Sequence, residues 1–153
     1  MSNNCVICRP LGDEDKFVVF QNEEWTVRHS RETNILGYLL IESRRHILDL
    51  SEANDAECAS YGPLLRSAVT AIKSTIDPER VYTITLAEAV PHFHVHLIPR
   101  TNAIPKAYRG RGILAYPLEP RSDEALVSNV CARLTRLMRG AAAPKAPAVR
   151  PRA

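Results

Sequence analysis

Residues 92–98 read His-Phe-His-Val-His-Leu-Ile, placing three of the chain's five histidines at alternate positions. Side chains of an extended strand point alternately to its two faces. His92, His94 and His96 therefore share one face, while Phe93, Val95 and Leu97 share the other and can anchor the strand in a core. The strand becomes a rigid support for imidazoles about 7 Å apart. Three readings fit such a row. It is a surface face that happens to carry histidines, a metal site using two of the three, or a site for catalysis on phosphorus. The last is chemically sound because a neutral imidazole is a competent nucleophile whose pKa lies near working pH.

The flanking segments supply a frame for that strand. Phe17–Phe20 and Trp25–Val27 read as short strands around an Asn22-Glu23-Glu24 turn. The apolar run Ile35–Ile41 predicts a central strand, with Gly37 marking a bulge or a close backbone approach. Arg80–Leu86 alternates and is β-branched, and Phe93–Ile98 predicts a strand closed by Pro99. Between them, Ser51 suits a helix N-cap, and Tyr61, Leu65, Ala68, Ile72 and Ile76 recur at helical spacing. Gly62-Pro63 should kink that helix or delay its start, and Asp77-Pro78 should end it. Residues 101–120 predict a long loop. A second helix begins at Ser122-Asp123-Glu124, with the stripe Leu126, Val130, Leu134, Leu137 and Met138, and stops at Gly140. Runs of strands broken by one long helix predict an α+β domain with an antiparallel sheet. The 153 residues suit one domain over 1–140, followed by a disordered Ala/Pro/basic tail over 141–153.

Composition narrows the function classes. No apolar stretch approaches the ~18 residues a membrane helix needs. The N-terminus lacks a basic-then-apolar leader, so a cytoplasmic protein is expected. A net charge of +3 with no clustered basic stripe argues against a nucleic-acid partner. A pocket for a small anion needs only a few local positive groups; Arg100, Arg109 and Arg111 are candidates to meet substrate phosphates.

Among the four cysteines, Cys5 and Cys8 form C-x-x-C, whereas Cys58 and Cys131 sit alone in apolar-periodic segments and are expected buried. In a reducing compartment the pair is a redox motif or a metal knuckle. The redox reading lacks its βαβ setting. His46, in Arg44-Arg45-His46-Ile47, offers an imidazole just after the central strand. Cys5, Cys8, His46 and one histidine of the row would make a closed, structural zinc site. Trp25 is expected in the core and His29 on the polar surface.

At this point a family resemblance becomes specific. His92–Ile98 resembles the histidine-triad (HIT) signature, His-φ-His-φ-His-φ-φ with φ apolar. Gly37–Ile41 and Arg45–Leu50 resemble that family's strand and loop before its long helix, and Cys5-x-x-Cys8 resembles its zinc-bearing members. The resemblance covers roughly residues 5–100. It implies a five-stranded antiparallel sheet, a homodimer, and a nucleotide substrate. It implies hydrolysis of a dinucleoside polyphosphate or nucleotidyl conjugate, or transfer to another acceptor; a binding module that has lost turnover is the rival. Carried over, His94 attacks the α-phosphorus, His96 touches the phosphate, and His92 orients the site as fourth zinc ligand. Two departures stand out. Ala89 lies where many members carry a hydroxyl, and Tyr38 where many carry a histidine after the glycine.

Overall fold

The computed structural model describes residues 5–9 and 16–141. Five strands form one sheet: β1 (Val18–Gln21), β2 (Trp25–His29), β3 (Leu39–Ser43), β4 (Arg80–Ile84) and β5 (His94–Arg100). Their order is β1-β2-β3-β5-β4, and every neighbouring pair is antiparallel. Two long helices, α1 (Asp55–Ile76) and α2 (Glu124–Ala141), complete the expected α+β architecture. The β1–β2 turn forms because the Asn22 side chain accepts from the backbone N–H groups of Glu24 and Trp25, at 3.2 and 2.7 Å. Of the expected tail only Ala141 is described, as the last residue of α2; the rest lies outside the described residues.

One face of the sheet makes the core. Trp25, Val27, Leu39, Ile41, Val95 and Leu97 are each at most 1% exposed and pack with Ala68, Ile72, Leu134 and Met138 of the helices. The opposite face carries Thr26, Arg28, Leu40, Glu42, His94 and His96, because β-strand side chains alternate.

Several local expectations fail for identifiable reasons. The strand expected from Ile35 begins only at Leu39. Residues 35–38 turn instead, with the Tyr38 N–H donating to the Ile35 carbonyl at 3.3 Å. This turn is apolar because it is buried, with Ile35 in a second small core beside Ile98, Ile104 and Ile113. Gly37 adopts φ +79°, and a Cβ there would meet the Ile76 side chain at 2.5 Å. The close approach read from the sequence is real, but it serves a turn and not a bulge.

Helix α1 is capped by Asn54, not Ser51. Asn54 and Glu57 form a reciprocal capping box, while Ser51 lies in a short 3-10 turn capped by Asp49. Pro63 does not delay the start of the helix, which runs through it from Asp55; it sits on the exposed side, and the buried stripe is Leu64, Ala68, Ala71 and Ile72. The helix ends at Asp77-Pro78 as expected, with Asp77 as its C-cap in the left-handed conformation. In α2 the buried positions are Val127, Cys131, Leu134 and Met138, whereas Leu126 and Leu137 face outward. Burial pushes the Cys131 thiol up to about 11. Cys58, in contrast to expectation, is exposed on the outer side of the first turn of α1.

Strand β5 runs through Pro99 to Arg100. Its pairing with β3 ends at Leu97, while pairing with β4 continues, so Pro99 sits where one edge of the strand is already open. The stretch after β5 is not structureless: Lys106–Tyr108 and Gly110–Ala115 are 3-10 turns that deliver Ile113 to the second core. His29, expected on the surface, is fully buried. Its Nδ1–H donates to the Ser30 carbonyl at 2.6 Å, and its Nε2 accepts the Gly37 N–H at 2.9 Å. Burial lowers its pKa, so a neutral ring clips the Gly37 turn to β2. No helix among the described residues is long and apolar enough to cross a membrane.

Candidate active site and metal centre

The expected metal ligands converge. Donor atoms of Cys5, Cys8, His46 and His92 all lie within 4.8 Å of one another. Sulfur-to-Nδ1 separations are 3.4 Å for Cys5–His92, 3.3 Å for Cys8–His46 and 3.5 Å for Cys8–His92, and the two Nδ1 atoms are 3.2 Å apart. A tetrahedron with ligands at 2.0–2.3 Å has edges of about 3.3–3.8 Å, so this donor set fits a zinc ion. Zinc bound there would be structural, because four protein ligands leave no open position.

Local structure explains the convergence. The N–H of Phe93 donates to the Ile47 carbonyl at 2.6 Å, which ties the residue after His46 to the residue after His92. Arg45 clamps Glu57 through both carboxylate oxygens, at 3.0 and 2.7 Å, and so tethers the loop bearing His46 to the start of α1. That guanidinium holds the Glu57 carboxyl below its usual range. His92 donates Nε2–H to the Ser43 carbonyl at 2.7 Å. This fixes the tautomer with a bare Nδ1 toward the cluster, the support metal-binding histidines ordinarily have. Burial lowers the His92 pKa.

The histidine row therefore divides. His92 lies just before β5 and turns to the sulfurs, while His94 and His96 line a cavity of 580 Å³ on the open sheet face. Their ring centroids are 4.8 Å apart. His94 donates Nδ1–H to the His92 carbonyl at 2.7 Å. Its Nε2 then carries the lone pair. The Thr85 hydroxyl donates to the His94 carbonyl at 2.8 Å and steadies the backbone beneath it. His96 Nδ1 is 2.8 Å from the Tyr38 hydroxyl. Burial, and secondarily the neighbouring His94, push the His96 pKa down to about 4, so this ring is neutral at pH 7.

The charged residues at the cavity are other than those expected, and Glu32 and Glu42 lie there with the arginines. Arg28, Arg31 and Arg121 line it. Arg100, Arg109 and Arg111 do not. Arg100 lies at the far end of β5, opposite Arg80, and Arg109 donates to the Ile104 carbonyl at 3.1 Å. Arg111 is exposed in a 3-10 turn. The sequence places these three near the triad by chain proximity, but the strand carries the chain away from it.

The reading of the sequence also missed Glu42, the direct cross-strand partner of His94, and Arg28, which binds both Glu42 oxygens at 2.9 and 3.0 Å. The alternation Thr26-x-Arg28 and Leu40-x-Glu42 was the available signal, but register alone says which strand faces which. Ala89 is exposed and borders a smaller cavity beside Cys5 and His46, outside the one lined by His94.

The backbone has many relatives in shape. A Zn-bound histidine triad family protein from Mycobacterium smegmatis superimposes with a TM-score of 0.66 at 17% identity, covering 92% of this chain and 96% of that one. A histidine triad protein from Bradyrhizobium japonicum gives 0.69 at 20% identity over 85% and 96%. Among curated proteins, adenosine 5'-monophosphoramidase hnt1 of Schizosaccharomyces pombe is 26% identical over 103 residues, 64% of this chain and 73% of its own length. The model of the HIT domain matches residues 12–103, more than half of the sequence. With the triad, the sheet order and this match in agreement, the chain belongs to the HIT domain family.

Proposed function

We propose that the protein is a nucleotidyl hydrolase that cleaves a nucleoside phosphate derivative through a covalent adduct on His94. The observation that carries this reading is the His94 Nδ1–H bond to the His92 carbonyl, which leaves Nε2 bare on the wall of the cavity. In the first step the Nε2 lone pair forms a bond to the α-phosphorus. The bond from phosphorus to the leaving group breaks, and its electron pair departs with that group, which takes a proton from solvent. Water then attacks phosphorus, the P–Nε2 bond breaks back onto the ring, and the water's proton returns to solvent. Two easier displacements replace one difficult one. His96 contacts the phosphoryl oxygens, and Arg31 and Arg121 at the cavity are placed to meet substrate phosphates, Arg28 being bound to Glu42.

The favoured substrates are nucleotidyl conjugates, phosphoramidates foremost, with dinucleoside polyphosphates next. The hnt1 relative, named as a monophosphoramidase, supports the first of these. Transfer to an acceptor other than water differs only in what enters the second step. The metal site holds Zn²⁺ through Cys5, Cys8, His46 and His92, in a reducing cytosol that keeps both thiols available. A panel of adenosine 5'-phosphoramidate, dinucleoside polyphosphates, adenylyl sulfate and sugar nucleotides tests the proposal. Nucleoside monophosphate should appear as product, and acid quench should destroy a base-stable adduct on His94. Turnover of none of these, with no adduct in a single-turnover trap, would leave a nucleotide-binding module.

The working unit is a homodimer. Strand β4 is an edge strand with exposed residues Arg80 and Thr83, and a sheet edge in so small a domain invites a second copy. Light scattering should return twice the chain mass, in full-length protein and in protein truncated after residue 140 alike. A monomer at working concentration would refute this.

A further inference from the structure

We propose that Tyr38 is a positioning residue that holds His96 in the Nε2–H tautomer, so that two adjacent histidines present opposite chemistry to one cavity. The geometry is specific. The Tyr38 hydroxyl lies 2.8 Å from His96 Nδ1, and the two rings meet edge to face with centroids 5.9 Å apart. Gly37, clipped to His29 and packed on Ile76, fixes the backbone immediately before Tyr38. Both Tyr38 and His96 line the cavity.

Which partner donates follows from acidity. A phenol O–H is a stronger acid than a neutral imidazole N–H, and a bare imidazole nitrogen is a better acceptor than a phenol oxygen. Tyr38 therefore donates and His96 Nδ1 accepts. Burial pushes the Tyr38 pKa up to about 12, so the phenol keeps its proton. With Nδ1 occupied as an acceptor, the single proton of the neutral His96 ring sits on Nε2. On His94 the assignment is reversed: the proton is on Nδ1, held by the His92 carbonyl, and Nε2 is bare.

The same strand face thus offers a lone pair at one ring and an N–H donor at the next. A neutral donor beside a nucleophile stabilises charge growing on phosphoryl oxygens without placing a second positive charge against the His94 adduct. No proton leaves His96 in this scheme; it gives a hydrogen bond only.

The kinetic consequence rests on the proposed nucleotidyl chemistry, but the tautomer does not. The experiment therefore has two arms. In the first, protein labelled with ¹⁵N-histidine is examined by long-range ¹H–¹⁵N correlation, with His96 assigned by its loss in His96→Gln. His96 should show a proton on Nε2 and a bare, hydrogen-bonded Nδ1, and that Nδ1 resonance should move in Tyr38→Phe. A proton on Nδ1 in the wild-type protein overturns the proposal, whatever the enzyme does.

In the second arm, Tyr38→Phe is assayed on adenosine 5'-phosphoramidate. Its kcat should fall about tenfold with KM within twofold, because a disoriented donor forfeits part of the 10²–10³ that outright deletion costs. An unchanged kcat, with His94→Ala inactive, would overturn the positioning role and leave the nucleotidyl reading intact. If the Phe variant does not fold, the wild-type spectrum still decides the tautomer.

Discussion

His94→Ala protein should bind nucleoside monophosphate nearly as well as the unaltered chain and turn over substrate at least 10⁴-fold more slowly, on the scale seen when a catalytic nucleophile is removed. In the proposed reaction the His94 imidazole is half of the bond that forms. Its deletion therefore falls on the transition state and leaves ground-state contacts on the rest of the cavity in place. The order of damage along the row is the distinctive part. His94→Ala should be worst in rate. His96→Ala should be milder, about 10²–10³ for loss of one preorganised donor. His92→Ala should act chiefly through stability, because its Nδ1 faces the sulfurs and not the cavity. Measuring kcat/KM, nucleotide affinity and Tm for all three variants checks the order. Full activity in His94→Ala would remove covalent catalysis, and equal damage from all three with inactivation by chelator would indicate a catalytic metal on the whole row.

The second large effect concerns the metal. Purified protein should carry about one zinc per chain, and Cys5→Ser should lose it. An ion present a thousandfold above its dissociation constant stabilises the folded state by about 4 kcal/mol. For a domain of this size that is on the order of 10 °C in Tm. The fold should survive, since its main core of Trp25, Ile41, Ile72 and Leu97 lies on the helix-packed face of the sheet. Substrate affinity should fall as well, because Val6 and Ile7, between the two thiols, border the cavity lined by His94. Cys58→Ser is the internal control, being exposed and outside the cluster. Metal analysis and thermal melts of both variants decide the matter; one zinc retained in the Cys5→Ser/Cys8→Ser double variant would place the ion elsewhere.

What was legible in the sequence was carried by short-range pattern. Alternation in residues 92–98 marks a strand with its histidines on one face, and Cys5-x-x-Cys8 with His46 and the triad names a four-ligand set that the fold does assemble. The errors share a cause. Ile35–Tyr38 is as apolar as a strand because a turn is buried, and burial alone does not distinguish the two. The sequence predicts His29 on the surface because nothing in its neighbours announces the Gly37 N–H that donates to its Nε2 in the core. In α2 the expected Leu134 and Met138 are buried, but Val127 and Cys131 take the places expected of Leu126 and Leu137, because a helix's rotation is set by what it packs on, here α1 and β1.

The sequence by itself determined the groups on offer: three imidazoles on one face of a strand, two thiols at knuckle spacing, and an antiparallel α+β frame to hold them. These follow from periodicity and residue type, which are local properties of the chain. Only the tertiary structure decided how the chemistry was shared out. It sent His92 to the sulfurs and left His94 and His96 to the cavity. It put Arg28 and Glu42 beside them in place of Arg100, Arg109 and Arg111. It brought the Tyr38 hydroxyl onto His96 from 58 residues away. Strand register and the hydrogen bond on one nitrogen of each imidazole are long-range facts, and they set three like residues in three different surroundings: the thiols, the open cavity and the Tyr38 hydroxyl.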